Sequence, residues 1–462
     1  MRVRVLGQYV HASIAALAVA EAGIFFGSIP VAHWVRFGTW YPAVTAMLWP
    51  AAVFAVISLL CMLALGLYSL RQRAGTAGLF VRLVAAVAAA TLVTVTVFYV
   101  LPSLFLGRGV LGLASLFSLI GVGLLRAAFS RLVDENIFKR RVLVYGVGRR
   151  TSAISSLRRR ADRRGFEIVG FIQPHGEDIV VPLERVLTAP EGILKLCNDH
   201  GVEEIVVAME DRRRGFPILG LLECRLAGVE ITELLTFLER ETGRVRIDVL
   251  NPSWMIFGGG FRRDPLRLFS SRSLDLIASL VLLVLSLPVM VFTLIAIKLE
   301  DGWRAPVFYG QARVGLGGQP FTVLKFRSMR IDAESDGRAQ WAQKSDPRIT
   351  RVGAVIRKLR IDELPQILNV VSGRMSFVGP RPERPQFVDE LSQKIPYYVQ
   401  RHCVKPGITG WAQLCYPYGS SEQDALEKLQ YDLYYIKNNT LLFDLAILLQ
   451  TAEVVFMGKG SR

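Results

Sequence analysis

The chain has 462 residues, 52% of them hydrophobic and 20% charged, with a formal net charge of +16. That length exceeds one ordinary domain, and the mixture excludes both a wholly soluble globule and a bare set of membrane spans. The positive balance suits nucleic acid, anionic lipid headgroups or phosphorylated substrates, and the apolar runs described next favour the last two.

Four apolar runs fill the first quarter, at about 8–32, 41–67, 80–101 and 110–128, each near the ~20 residues that cross ~30 Å of hydrocarbon. The first exceeds a signal-peptide core, so it is expected to be an uncleaved anchor. Arg2 and Arg4 precede it, and Arg71, Arg73 and Arg82 follow the second run. Arg126, Arg131, Lys139, Arg140 and Arg141 follow the fourth, whereas the other two loops hold only Arg36 and Arg108. Positive charge stays inside. A four-helix transmembrane block over 1–130 is therefore expected, with both termini in the cytoplasm.

From 131 the texture changes. RVLVYGVGRRTSAI is an apolar run, a glycine-rich turn and a helical pattern, and FEIVGFI and EEIVVAME read as further buried strands. Strands alternating with helices predict a parallel, Rossmann-like α/β unit over 131–250. Its dinucleotide fingerprint is incomplete. Gly146 and Gly148 supply two glycines, but Thr151 stands at the third position and Gln173 where a ribose-binding acid belongs. A structural or regulatory role is expected in preference to cofactor binding.

A turn-rich connector over 251–271 leads to an apolar stretch at 274–297 containing Ser286 and Pro288. A fifth span would export the basic clusters that follow, against the positive-inside rule. Proline removes a helical donor and crowds the preceding turn. Two halves of about 13 residues are too short to cross but long enough to enter one leaflet and return. A re-entrant hairpin at about 273–299 is therefore expected, with Ser286 helping to satisfy the carbonyls freed at the break. The run at 441–458 carries Asp444 and Glu453 and suits the membrane interface.

The last third concentrates chemistry. PVFYGQARVGLGGQPFTVLKFRSM reads as a hairpin turning at LGGQ and delivering Lys325 and Arg327. VGAVIRKLRIDELPQILNV reads as a helix broken or restarted at Pro365, then come SFVGPRPERP, KPGITGWAQ and LQYDLYYIKN. Adjacent carboxylates on a helix point about 100° apart and can divide their labour. With Arg357, Lys358, Arg360, Arg381 and Arg384 nearby, Asp362 and Glu363 suit phosphoryl transfer. Arginine grips phosphate bidentately, a carboxylate serves as nucleophile, and Mg²⁺ is held by few carboxylates plus substrate phosphates. The five cysteines and five histidines show no metal-ligand spacing. Free thiols in a reducing cytosol are expected.

On the motifs KFRSM, RIDELPQ, MSFVGPRP, KPGITGWAQ and YDLYYIKN, residues 272–462 resemble bacterial sugar transferases, the monotopic polyprenyl-phosphate phosphoglycosyl transferases. Four spans plus a Rossmann-like unit resemble the large form of that family, which includes undecaprenyl-phosphate glucose and galactose phosphotransferases. RPERPQFVDE, YPYGSSEQDALEKLQYD and MGKGSR look most like the exopolysaccharide subgroup associated with PEP-CTERM sorting. The resemblance implies a mostly α monotopic catalytic domain over 272–462 at the bacterial inner membrane, facing the cytoplasm. It implies transfer of a sugar-1-phosphate from a UDP-sugar to undecaprenyl phosphate, with release of UMP. Asp362 would be the nucleophile, Glu363 the Mg²⁺ ligand, and Arg357 and Arg381 phosphate contacts. Asp432 matches a further active-site acid, and Lys325, Arg327 and Lys405 are additional phosphate-binding candidates. A homodimer and downstream glycosyltransferases are the implied protein partners; no nucleic acid is. One departure stands out: the hairpin motif often has serine directly before proline, and here Leu287 intervenes.

Two other classes compete. A membrane-anchored nucleotide-sugar dehydratase or epimerase would need a Tyr-x-x-x-Lys pair, and no tyrosine here has lysine four residues on. A non-catalytic polysaccharide-assembly scaffold would need neither the acid pair nor the arginines.

Overall fold

The computed structural model of the chain describes residues 2–5, 8–39, 43–68, 76–104, 106–132, 139–155, 157, 165–211, 215–250, 264–330, 348–416, 419 and 421–456. Arg71 and Arg73, the connector as far as 263, and the closing MGKGSR lie outside the described residues. The chain divides into two compact units, 1–250 and 251–462.

In the first unit a short antiparallel pair, β1 (Arg2–Val5) and β2 (Gln8–His11), precedes four helices. These are α1 (Ala12–Phe37), α2 (Ala43–Ala64), α3 (Thr76–Val100) and α4 (Arg108–Leu132), each long and apolar enough to cross a membrane. Their shared core includes Phe25, Ile29, Phe54, Met62, Leu83 and Val110. Glu21 of α1 is fully buried in the same bundle. A lone carboxylate there would be costly. Arg126 of α4 faces it at 2.6 Å, and the Tyr68 hydroxyl donates to it.

The same unit holds five parallel strands, β3 (Arg140–Tyr145), β4 (Phe166–Ile172), β5 (Val186–Leu187), β6 (Glu204–Val207) and β7 (Glu230–Glu233), in the order β5-β4-β3-β6-β7. That is the 3-2-1-4-5 order of doubly wound sheets, with the first strand central. Helices α5 (Ser152–Ser155), α6 (Ile193–Asp199) and α7 (Ile218–Leu226) lie between strands, and α8 (Leu234–Thr242) follows β7. Side chains alternate across a strand. Val142 and Val144 accordingly join one core with Phe237 and Leu238, and Leu143 and Tyr145 join another with Cys197 and Leu221.

The second unit begins with α9 (Pro265–Asp301), capped by Asp264, whose side chain accepts from Leu266 N–H. A hairpin of β8 (Phe308–Val314) and β9 (Pro320–Phe326) follows, turning at Leu316–Gly318 within LGGQ. Then come α10 (Arg351–Lys358), α11 (Gln366–Val371), β10 (Ser376–Val378), α12 (Pro385–Lys394) and β11 (Gly407–Thr409). The chain closes with α13 (Trp411–Cys415), α14 (Glu422–Asn438) and α15 (Leu441–Phe456).

Helix α9 departs from the sequence expectation of two halves. Its backbone pairing continues through Pro288. Proline costs the Val284 carbonyl its helical donor, but the flanking turns keep theirs, and apolar surroundings penalise any further unpaired amide. The Ser286 hydroxyl, expected to cover a freed carbonyl, instead points at Met290 Sδ, 3.6 Å away.

Both ends of α9 bind the rest of the second unit. Near its start, Arg272 donates to the Val370 and Val371 carbonyls at 2.7 Å each, capping α11. Asp275 accepts from Ser376 Oγ and Phe377 N–H at 2.9 Å each, tying the helix to β10. Near its end, Glu300 accepts from the amides of Arg351 and Val352 at 2.8 Å each. Between these anchors Leu280, Val281, Val284, Leu285 and Phe292 are exposed.

Candidate active site

The acid pair lies in a single 3-10 turn, Ile361–Glu363, between α10 and α11. Thr350 caps the start of α10 by accepting from Gly353 N–H at 2.9 Å. Arg360 ends that helical path by adopting a left-handed conformation, φ 59. A β-carbon makes that region unfavourable, by about 1 kcal/mol or more. Among the described residues only Tyr397 shares such a non-glycine φ. The reversal at Arg360 turns Asp362 inward and directs Glu363 toward the hairpin. The helix thus breaks earlier than Pro365, which serves as the cap of α11.

Asp362 is 9% exposed, and its buried Oδ1 has no hydrogen-bond partner among the described residues. Burial, then the neighbouring Glu363 charge, pushes its pKa up, against the pull of Lys325, Arg357 and Arg360. Glu363 behaves oppositely. Burial disfavours its charge too, but Arg381, Lys325 and Arg360 outweigh that and pull its pKa down to about 2. Its Oε1 lies 3.3 Å from Arg381 Nη2, 3.4 Å from Lys325 Nζ and 3.9 Å from Arg360 Nη1. Two adjacent carboxyls are therefore driven apart electrostatically, one held ionised by cations and the other desolvated, with one oxygen lacking a hydrogen bond.

Distant segments hold this cluster in place. Asn369 of α11 accepts from Leu324 N–H at 2.9 Å and donates to the Thr322 carbonyl at 2.7 Å, so β9 brings Lys325 to Glu363. Arg381 follows β10, which pairs in parallel with β11. Three glycines allow that approach: a β-carbon at Gly407 would stand 2.1 Å from Gly379 N, and one at Gly410 would stand 2.2 Å from Gly379 O. MSFVGPRP and KPGITGWAQ, separate in sequence, thus form one backbone junction behind Arg381.

The remaining sequence candidates fall around this centre. Arg357 occupies the last turn of α10 and acts on Asp362 through its charge. Asp432 is buried one layer back. It pairs with Arg401 at 2.9 Å, and Arg401 donates to the Arg381 carbonyl at 3.0 Å. Burial raises the Asp432 pKa to about 6 despite Arg401. Lys405 sits instead beside Gly373 with Arg272, where its charge acts on Asp275. Arg327 acts on Asp301, at the end of α9. Neither has a described contact with the acid pair.

Sequence reasoning missed Asn369, Arg401, Arg313 and Glu383. Arg313 donates to the Pro382 carbonyl at 3.1 Å and lies 3.6 Å from Glu383, bracing the Arg381 loop against β8. Burial lowers its pKa to about 10. A lone arginine on a strand and another in QRHCV carry no local signal; only the fold gives them a role.

Helices of membrane length and an acid pair in a basic shell define a membrane-associated transferase as the class. Comparison with known proteins makes that specific. A family model described as bacterial sugar transferase matches residues 266–458. The chain is 31% identical over 477 residues to the UDP-glucose:undecaprenyl-phosphate glucose-1-phosphate transferase of Xanthomonas campestris pv. campestris, covering 97% of this chain and 95% of that one. It is 43% identical over 242 residues to the UDP-N-acetylgalactosamine-undecaprenyl-phosphate N-acetylgalactosaminephosphotransferase of Aeromonas hydrophila. That alignment spans 52% of this chain and 56% of the relative. It is 29% identical over 373 residues to the undecaprenyl-phosphate galactose phosphotransferase of Salmonella typhimurium, covering 75% of this chain and 74% of the relative. The chain belongs to the bacterial sugar transferase family.

Proposed function

We propose that the chain moves a sugar-1-phosphate from a UDP-sugar to undecaprenyl phosphate at the cytoplasmic face of the bacterial inner membrane, starting an exopolysaccharide on its lipid carrier. The observation that carries this reading is the partnerless, buried Oδ1 of Asp362 beside a Glu363 already neutralised by Lys325, Arg360 and Arg381. A desolvated carboxylate oxygen with no hydrogen bond to break is suited to attack.

In the first half-reaction an Asp362 carboxylate oxygen bonds to the β-phosphorus, the bridging oxygen–phosphorus bond breaks, and UMP leaves. In the second, a phosphate oxygen of undecaprenyl phosphate attacks the same phosphorus. The bond to Asp362 then breaks and its carboxylate is regenerated. Arg357 and Arg381 would grip phosphate oxygens throughout. Asp432 would hold the Arg381 loop through Arg401 and not touch substrate.

A divalent cation suits these donors, because Mg²⁺ takes one or two carboxylates plus phosphate and water oxygens. Glu363 would hold it, and when bound the ion would neutralise the diphosphate.

The anchors of α9 support a membrane-hugging geometry. A straight helix of 37 residues would reach about 55 Å. Arg272, Asp275 and Glu300 all bind the same unit, so both ends belong on one side of the bilayer while the exposed apolar middle enters it. A return through one leaflet would then require α9 to bend at Pro288, where a helical donor is missing. That placement would set the acid pair at headgroup depth, where a lipid-borne phosphate and a soluble nucleotide can meet.

The test is UMP release across UDP-glucose, UDP-galactose and N-acetylated UDP-sugars with undecaprenyl phosphate, with and without EDTA, followed by mass spectrometry of protein quenched during turnover. The expected result is chelator-sensitive UMP release from one donor class and a phosphosugar adduct on Asp362. An adduct elsewhere, or UMP release with no adduct, would overturn the covalent route.

A further inference from the structure

The glycine-rich turn after β3 is the place where doubly wound sheets present backbone amides to a nucleotide's phosphates. In this chain those amides already hold anions. Val147 N–H donates to Glu177 Oε2 at 2.8 Å and Arg149 N–H to Glu210 Oε1 at 2.6 Å. Glu210 N–H donates in turn to Glu177 Oε1 at 2.8 Å, linking the two acids. Glu177 follows β4 and Glu210 follows β6, the strands on either side of β3. Each neighbour thus sends one carboxylate across the end of the central strand.

The rest of the fingerprint is used in the same way. A β-carbon at Gly148 would stand 2.6 Å from Glu210 Oε1 and 2.8 Å from its Cδ, so the glycine makes room for this carboxylate. Gly146 has φ 138, and a β-carbon there would meet the Ala208 carbonyl carbon at 2.8 Å. Gln173, standing where a ribose-binding acid belongs, donates from Nε2 to the Glu177 carbonyl at 3.0 Å. Val180 N–H donates to the Val147 carbonyl at 2.8 Å, folding the Glu177 loop over the turn.

We infer that Glu177 and Glu210 occupy the phosphate position of this turn, so that the α/β unit is a clasp closed from within and takes no dinucleotide. A diphosphate arriving there would have to displace two charge-assisted contacts and sit beside the carboxylates it displaced. The glycines are kept for the carboxylates. This inference is independent of the transferase reading.

The unit carries its own reporters: Cys197 and Cys224 are buried in it, whereas Cys61, Cys403 and Cys415 lie in other segments. The experiment takes the full chain in nanodiscs and follows alkylation of Cys197 and Cys224 by peptide mass spectrometry along a thermal ramp. Millimolar NAD⁺, NADP⁺ or inorganic pyrophosphate is expected to leave the midpoint unmoved. Gly148→Ala is expected to lower it, and Glu210→Ala to remove most of that drop when the two are combined. Protection by any of the three probes, or an equal Gly148→Ala drop in both backgrounds, would overturn the clasp. Where Glu210→Ala does not accumulate, the thermal ramp on the unaltered protein decides alone: a raised midpoint for Cys197 and Cys224 with any probe refutes the inference, and an unmoved midpoint supports it.

Discussion

The chain contains two clusters of buried charge that look alike in composition and differ in closure. At the start of the parallel sheet, Glu204 is fully buried and meets Arg140 at 3.0 Å and Arg240 at 2.7 Å, while Arg140 also reaches Glu230 at 3.0 Å and Arg240 reaches Glu241 at 3.1 Å. Both Glu204 oxygens accept from Arg240, and one accepts from Arg140 as well. In the second unit Glu363 is matched by three cations, but its neighbour Asp362 keeps a buried oxygen with no partner. The acid at the centre of the first cluster has no oxygen left for a ligand. The second cluster retains one unsatisfied acceptor facing an excess of positive charge, a structural cost that substrate can relieve. Charged residues alone therefore do not mark a site; the second cluster adds a buried acceptor among surplus cations, Lys325, Arg357, Arg360 and Arg381.

The largest test of that contrast is Asp362→Asn. UMP release should fall on the order of 10⁴-fold or more, as for removal of other covalent nucleophiles, with the melting temperature preserved or raised, since burial disfavours the charge removed. A near-normal rate would reduce the partnerless oxygen to a packing detail.

Arg381→Ala should come next, with a loss of about 10- to 100-fold in turnover, the range for removing a hydrogen bond to a charged group. Arg381→Lys should recover only part of it, because lysine lacks the fork. The sheet cluster should answer in a different observable. Arg240→Ala leaves the buried Glu204 with Arg140 alone, its Oε1 losing its donor, and should cost about 3 kcal/mol of stability, yet turnover per folded molecule should hold. A variant that is stable but inactive would merge the two clusters functionally.

The pH profile offers a finer probe. Attack requires the Asp362 carboxylate, and its pKa is raised by burial and Glu363, so UMP release should fall on acidification at a higher pH than an ordinary aspartate gives. Glu363, at about 2, stays ionised across that limb. Lys325→Met removes a cation that favours the Asp362 charge and should move the limb to higher pH. The smallest effect belongs to Arg360→Gly. It relieves the left-handed backbone, worth about 1 kcal/mol, while removing the most distant of the three cations, so stability should rise slightly and turnover drop a few-fold.

Much of the site is legible in the sequence. The acid pair, Arg357, Arg381 and Lys325 stand in short motifs whose residue types carry their own chemistry, and the fold gathers them at one turn. Lys405 and Arg327 belong to motifs of the same kind, but their charges act on Asp275 and Asp301, near the two ends of α9. Pro288 reads locally as a break, since a local rule sees only the lost donor. The continuous helix follows from the apolar surroundings, which hold the remaining turns together.

The sequence by itself determined which segments are apolar enough for lipid, which strands are buried and which residues can do phosphoryl chemistry, because hydropathy, periodicity and side-chain type are local properties. Only the tertiary structure decided which charges cancel. Glu177 and Glu210 close the glycine turn from neighbouring strands, and Arg401 reaches Arg381 from a different segment. Whether a buried ion is satisfied depends on atoms within about 4 Å of it, and the fold, far more than chain order, sets those neighbours.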